Sequence, residues 1–263
     1  MTTLPQTDAS SLVDAREIEV RVRALYGEVA REEHAGLHFA VGRPLAEQLG
    51  YPAALLDAIP AEAVAAFAGV GHHLDLAALA LGERVLDLGS GSGTDVFGAA
   101  VHVGPRGAVT GVDFTPEQLV KAARLGRAER FAHVDFRWAR IDHLPFADAS
   151  FDAVLSNGVI NLSVAKQRVF EEAARVLRPG GRFAVSDIVS GKPLKERTRR
   201  NTDLWAACIA GAIPCDDYVA AIEAAGLELA DLRGNDYAFL SERARDACTT
   251  YEVMSISLVA VKR

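Results

Sequence analysis

The sequence has 263 residues, half of them hydrophobic and 24% charged, with a formal net charge of −7 at pH 7. That acidic balance disfavours a nucleic-acid groove, which needs clustered Lys and Arg to neutralise phosphate. No apolar run reaches the ~20 residues of a membrane span, residues 1–14 lack the apolar core of a secretory signal, and three cysteines, all late in the chain, suit a reducing cytoplasm better than a disulfide framework.

Residues 1–14 read as weakly held. Over 16–31, Ile18, Val22, Leu25 and Val29 recur at helical spacing. Residues 34–44 read as a loop, 45–49 and 52–59 as short helical pieces, and 61–67 as a helix that Pro60 opens. A last helical piece covers 74–81. The first 80 residues are therefore expected to form a helical cap, or substrate lid. From residue 81 to about 190, apolar strands alternate with helices. The strands fall at 84–88, 108–113, 134–138, 151–156 and 182–186, and the helices at 95–103, 115–130 and 163–177. Such alternation indicates an α/β chain whose mostly parallel sheet is covered on both faces. The runs Gly104-Pro105-Arg106-Gly107 and Arg178-Pro179-Gly180-Gly181 read as turns. Residues 191–263 are expected to add helices at 194–209 and 216–225, with Asp216 as an N-cap. Strands at 227–232 and 251–261 then close the same sheet, the last one antiparallel. The basic run Lys195–Arg200 reads as a solvated helix face.

The chemistry is concentrated after the first strand. Asp87 ends that strand, and Gly89-Ser90-Gly91-Ser92-Gly93 follows. Glycines permit positive φ and leave room for a ligand. The pattern is G-x-G-x-G, not the dinucleotide fingerprint G-x-G-x-x-G, and it points to S-adenosylmethionine (SAM). Amide N–H groups of the turn suit a carboxylate, and Asp87 suits the ammonium. Asp113 ends the second strand, 20 residues beyond Gly93, where a carboxylate can accept from ribose hydroxyls. Phe114 is expected beside adenine, with Ile141 and Asp142 over its other face and edge. Asn157 ends the fourth strand, where methyl donor and acceptor should meet.

Taken together with R-V-L-R-P-G-G-R-F at 175–183, these segments resemble class I SAM-dependent methyltransferases, whose sheet is Rossmann-like. Asn157-Gly158-Val159-Ile160-Asn161-Leu162 is similar to the S-N-C-V-I-N-L segment of arsenite methyltransferases, and Cys208-Ile209-Ala210-Gly211-Ala212 to their C-x-x-G-A. Leu25-Tyr26-Gly27-Glu28 and Leu49-Gly50-Tyr51-Pro52 resemble their Y-Y-G and L-G-Y. The resemblance implies a small-molecule acceptor between the cap, Gly158 and the Cys208 segment. It also implies three thiolates for trivalent arsenic, a soft centre. Only Cys208 survives here, because Gly158 holds the second position and no cysteine precedes residue 208. No metal is expected, the pair His72-His73 included. His34, His38 and Tyr26 are candidate bases, and Cys208 is a candidate acceptor contact. Three readings stand open: a methyltransferase for another small molecule, an arsenic methyltransferase with fewer cysteines, and a non-enzymatic SAM-binding module or dehydrogenase. The oligomeric state is left open.

Overall fold

The computed structural model describes residues 14–31, 39–129, 131–206 and 208–263. Seven strands form one sheet: β1 Arg84–Leu88, β2 Ala108–Asp113, β3 Val134–Trp138, β4 Phe151–Asn157, β5 Leu177–Val189, β6 Leu227–Gly234 and β7 Met254–Lys262. Their order is β3-β2-β1-β4-β5-β7-β6. The first five strands are parallel, and β7 runs antiparallel between β5 and β6. Chain order steps outward from β1 to β3 and then jumps to β4 on the other side of β1. That reversal opens a crevice at the carboxyl ends of β1 and β4.

Twelve helices are described: α1 Ala15–Ala30, α2 Arg43–Gln48, α3 Ala53–Asp57, α4 Ala61–Ala65, α5 Leu74–Ala77, α6 Thr94–Val103, α7 Pro116–Ala128, α8 Lys166–Val176, α9 Glu196–Arg199, α10 Thr202–Ala206, α11 Cys215–Ala224 and α12 Glu242–Tyr251. Strand alternation divides the core. Val85 faces the cluster that includes Phe97 and Leu55, while Leu86 and Leu88 face the one that includes Phe170 and Tyr218. A third cluster joins Ile18 and Val22 of α1 to Trp205, Cys208 and Ile209, above the sheet's carboxyl edge.

The sequence reading needs correction at several boundaries. The helix expected over 194–209 is split into α9 and α10, because Asn201 Oδ1 accepts from Leu204 N at 3.0 Å and starts a new helix. The piece expected over 74–81 stops at Ala77, where Ala78 turns left-handed at φ 44°. Arg178–Gly181 is not a separate turn: it lies inside β5, and the β4–β5 register shifts between Phe151 and Ala153 to absorb it. Pro214, not Asp216, stands at the N-cap of α11, and Asp216 lies in its first turn. The reading also missed α12, whose Ser241 cap accepts from Ala244 N at 3.2 Å. Tyr251 therefore ends a helix, and β7 begins at Met254.

Candidate active site

The glycine turn occupies the crevice. Gly89, Gly91 and Gly93 have φ of 71°, 51° and 98°, a region that favours glycine. A Cβ on Gly89 would lie 2.6 Å from the Val159 side chain, whereas one on Gly91 would meet nothing nearer than Gln118 Oε1 at 3.8 Å. Gly89 closes a contact, and Gly91 borders open space. The turn is stitched to β2. Gly89 N and Ser90 N donate to Val112 O at 2.8 and 2.9 Å. Gly91 N donates to Asp113 Oδ2 at 2.9 Å, and Thr115 N donates to Asp113 Oδ1 at 2.8 Å. One carboxylate thus fixes both loops that frame the crevice.

The resulting cleft, about 680 Å³, is lined by Asp87, Ser90, Gly91, Asp95, Asp113 and Asn157 among others. Asp87 is 2% exposed, and its Oδ1 has no hydrogen-bond partner; nor has Ser90 Oγ. A buried polar atom without a partner is costly. Burial, with Asp95 and Asp113 nearby, holds the Asp87 carboxyl well above the usual carboxylate range. Burial also raises Asp113, against the opposing hydrogen bonds from Thr115 and Gly91. An ammonium would give this oxygen a donor and favour its carboxylate form.

Asn157 is less available than the sequence suggested. Its Oδ1 accepts from Val70 N at 2.8 Å, and its Nδ2 donates to Gly71 O and Asp95 Oδ2 at 3.0 Å and Tyr51 Oη at 3.2 Å. It staples the segment before α5 to the pocket floor. The Tyr51 hydroxyl also donates to Asp95. Asp95 is a pocket residue that the sequence reading missed, and Tyr51 supports it from behind. Asp95 carried a usable signal, an acid in the first turn of the helix after the glycines. Tyr51 was marked only by the Leu49-Gly50-Tyr51-Pro52 resemblance, which did not reveal its bond to Asp95, 44 residues away.

A second lobe of about 610 Å³ joins the first at Gly89 and Asp113. Phe114, Ile141 and Asp142 line it, together with Ile18, Glu19 and Val22 of α1. Asp142 is gripped by Arg140 through bonds of 2.9 and 2.8 Å.

Opposite the turn, Cys208 Sγ donates to Gly158 O at 3.5 Å and lies 3.8 Å from Tyr26 Oη. Burial pushes the Cys208 thiol up to about 12 and the Tyr26 phenol well above its ordinary value. Tyr26 and Gly158 line the cleft. Cys248 packs at the edge of the same cluster as Cys208, while Cys215 packs against the separate cluster around Phe170 and Tyr218. His34 and His38 lie outside the described residues.

A glycine turn at the switch point and a buried unpartnered carboxylate beside it, with a second carboxylate closing β2, define the class I SAM-dependent methyltransferase site. Comparison with known proteins agrees. A methyltransferase-domain family matches residues 80–244. An arsenite methyltransferase from Halobacterium salinarum is 44% identical over 190 residues, covering 72% of this chain and 48% of that protein. A 27-O-demethylrifamycin SV methyltransferase from Amycolatopsis mediterranei is 33% identical over 154 residues, 57% of this chain and 56% of that one. The solved structure of an arsenic (III) S-adenosylmethionine methyltransferase from Chlamydomonas reinhardtii matches with a TM-score of 0.63 at 32% identity, covering 84% of this chain and 74% of that chain. The chain belongs to the methyltransferase-domain family, as a SAM-dependent member related to the arsenite methyltransferases. It spans about half the length of the first curated relatives it matches. Among the described residues, no helix is long and apolar enough to cross a membrane.

Proposed function

We propose that this chain methylates a small organic acceptor bound between α1, Gly158 and the Cys208 turn, rather than free arsenite held by three thiolates. The observation that carries this reading is the single thiol at the acceptor wall. Cys208 touches Gly158 O and the Tyr26 hydroxyl, whereas Cys248 only borders that cluster and Cys215 packs against a different one. In this reading residues 1–80 act as cap, 81–190 as the SAM-binding core, and 191–263 as the acceptor side. The acidic net charge and a pocket floor of aspartates support a small molecule over a nucleic acid. Three free thiols fit a reducing cytoplasm.

SAM, when bound, supplies a methyl group on a positively charged sulfur, which is already a good leaving centre. The chain must align and shield. Asp87 faces the ammonium, amides of the glycine turn take the carboxylate, and Asp113 accepts from the ribose. Phe114, Ile141 and Asp142 enclose the base. Tyr26 and Cys208 stay neutral at their raised values, so they orient the acceptor and exclude water. His34 and His38 are the candidate bases for a proton lost by the acceptor, while burial keeps the Tyr26 phenol protonated.

Incubating the protein with methyl-labelled SAM and a metabolite extract, beside a parallel arsenite reaction, tests the reading. Label is expected in an organic product and not in arsenic species. The similarity to arsenite methyltransferases favours a second reading, arsenic methylation with fewer thiols. Labelled methylarsenic that disappears in Cys208→Ala would establish that one instead.

A further inference from the structure

β3 ends the sheet beside β2, with no strand beyond it among the described residues. Its register with β2 runs from Val109↔Val134 to Asp113↔Trp138. The bonds at the ends of the ladder fix its phase: Val109 N donates to His133 O at 2.9 Å, and Ala139 N donates to Asp113 O at 3.1 Å. In a parallel ladder the backbone groups of alternate residues point to the same neighbour. His133, Asp135, Arg137 and Ala139 therefore serve β2. The N–H and C=O groups of Phe136 and Trp138, and the C=O of Val134, point outward; Val134 N is taken by Phe131 O at 3.1 Å. Such an open edge is a template for another chain unless something blunts it. The opposite edge, β6, is bulged between Leu229 and Asp231. β3 holds neither proline nor bulge, and Trp138 at its end is 62% exposed.

We propose that β3 is the interface between two copies of this chain, paired antiparallel about a two-fold axis at Phe136, so that the two sheets continue into one another. The run Val134-Asp135-Phe136-Arg137-Trp138 is its own complement in that register. Phe136 exchanges both backbone bonds with its counterpart, and Trp138 N–H donates to the second copy's Val134 C=O. Asp135 then stands opposite the second copy's Arg137, and Arg137 opposite the second copy's Asp135. These are the non-hydrogen-bonded positions, where side chains approach most closely, with Cα atoms about 4.5 Å apart.

Charge complementarity selects a second copy over an unrelated chain. Within one chain Arg137 Nε and Asp135 Oδ2 pair at 2.7 Å, both side chains just over half exposed. Two such pairs brought together antiparallel make a ring of alternating charge, in which each group keeps its opposite neighbour and gains another. A register shifted by two residues would set Arg137 against Arg137, or Asp135 against Asp135, and like charges directly opposite are destabilising. The charges thus fix the register as well as the partner. On the other face of the strand, Trp138 comes opposite Val134, so pairing takes the exposed indole out of water. That indole is held in place beforehand, its Nε1 donating to Phe114 O at 3.2 Å. The Phe136 ring stays inside, against Phe97 at 5.6 Å between ring centroids; only its backbone is offered. The inference stands on the sheet edge and is independent of what the cleft binds.

Sedimentation equilibrium of the full chain over a rising micromolar concentration series tests this. The unmodified chain is expected to shift toward twice its 28.0 kDa. Asp135→Arg and Arg137→Asp each set like charges opposite one another, and each should weaken self-association at least ~10-fold. Mixed in equal amounts, the two variants should form a heterodimer, because each then meets its opposite. The double exchange, Asp135→Arg with Arg137→Asp, should self-associate like the parent. Hydrogen exchange on the unmodified chain decides the matter should a variant fail to fold: the amides of Phe136 and Trp138 are expected to slow as concentration rises, and those of β6 are not. A parent chain that stays monomeric throughout the series overturns the inference. So does a dimer that both single variants leave intact, a mixture of the two that stays monomeric, or Phe136 and Trp138 amides that ignore concentration.

Discussion

Cys208 shows what one side chain's surroundings decide. It is buried at φ 60°, a left-handed backbone that a side chain rarely adopts, and Asn161 Nδ2 fixes its carbonyl. Held at about 12, the group is a thiol at neutral pH, and the thiolate is the reactive form. Iodoacetamide at pH 8 should therefore label Cys208 in the folded chain at least ~100-fold more slowly than in the urea-unfolded chain. Peptide mapping by mass spectrometry reads the difference. Labelling at the unfolded rate would mean a poised thiolate, and would shift the weight toward arsenic. Positions set by local pattern were legible beforehand: Asp87 near a strand end, the three glycines that need positive φ, Asp113 one strand later. Asn157 was placed at the right strand end, yet its side-chain bonds go to Val70, Gly71, Tyr51 and Asp95. Those partners come from segments that sequence spacing does not bring together.

At the scale of elements, the 3₁₀ turn Ile160–Leu162 is set by its neighbours. Asp187 of β5 accepts from Asn161 N at 2.9 Å, and Lys166 of α8 donates to Asn161 O at 2.9 Å and Ser163 O at 2.8 Å. Asn161 is thus gripped at both ends of its backbone, and its side chain carries the grip to the Cys208 turn. Burial pushes Lys166 below the ordinary ammonium range and Asp187 above the ordinary carboxylate range. Each charge is present at the expense of desolvation and is retained for the polar atoms it satisfies. Lys166→Met removes the donor to two carbonyls and leaves Asp187 without a nearby cation, a loss of roughly 2–4 kcal/mol. Urea unfolding should show a lower midpoint with an unchanged slope. A midpoint within experimental error of the parent would refute the clamp. The sequence contained I-N-L but not this arrangement, since it depends on β5 and α8 meeting behind the turn. The split between α9 and α10 was hidden for a related reason: Asn201 is an ordinary residue in a helical pattern until its side chain caps Leu204.

Over the whole molecule, the alternation of strands and helices made the parallel half of the sheet readable, because each β–α–β step brings consecutive strands within reach of one another. The position of β7 was not readable in the same way. It is the last strand in sequence, yet it is inserted between β5 and β6, a pairing that joins segments about 70 residues apart (Val189 with Met254 is the nearest pair). Period-2 patterning identifies a strand but does not name its neighbour. The insertion has a mechanical consequence. Residues Arg182–Val189 of β5 pair with β7, and β6 joins the sheet only through β7. Deleting residues 254–263 would therefore open an edge on β5 and strip β6 of its partner. It would also expose the faces that Ile256, Leu258 and Ala260 bury against Phe170 and Tyr218. Open apolar edges pair with other chains, so the truncated chain should aggregate, or show no cooperative thermal transition by circular dichroism. The glycine turn would not rescue it, although that turn lies on β1, separated from the deletion by β4 and β5: without β7 the Cys208 wall loses the β5 segment that Ser190 N ties to Ile213 O at 2.9 Å. A soluble truncated chain that melts cooperatively and still binds SAM would show instead that the first five strands hold the pocket without the last two.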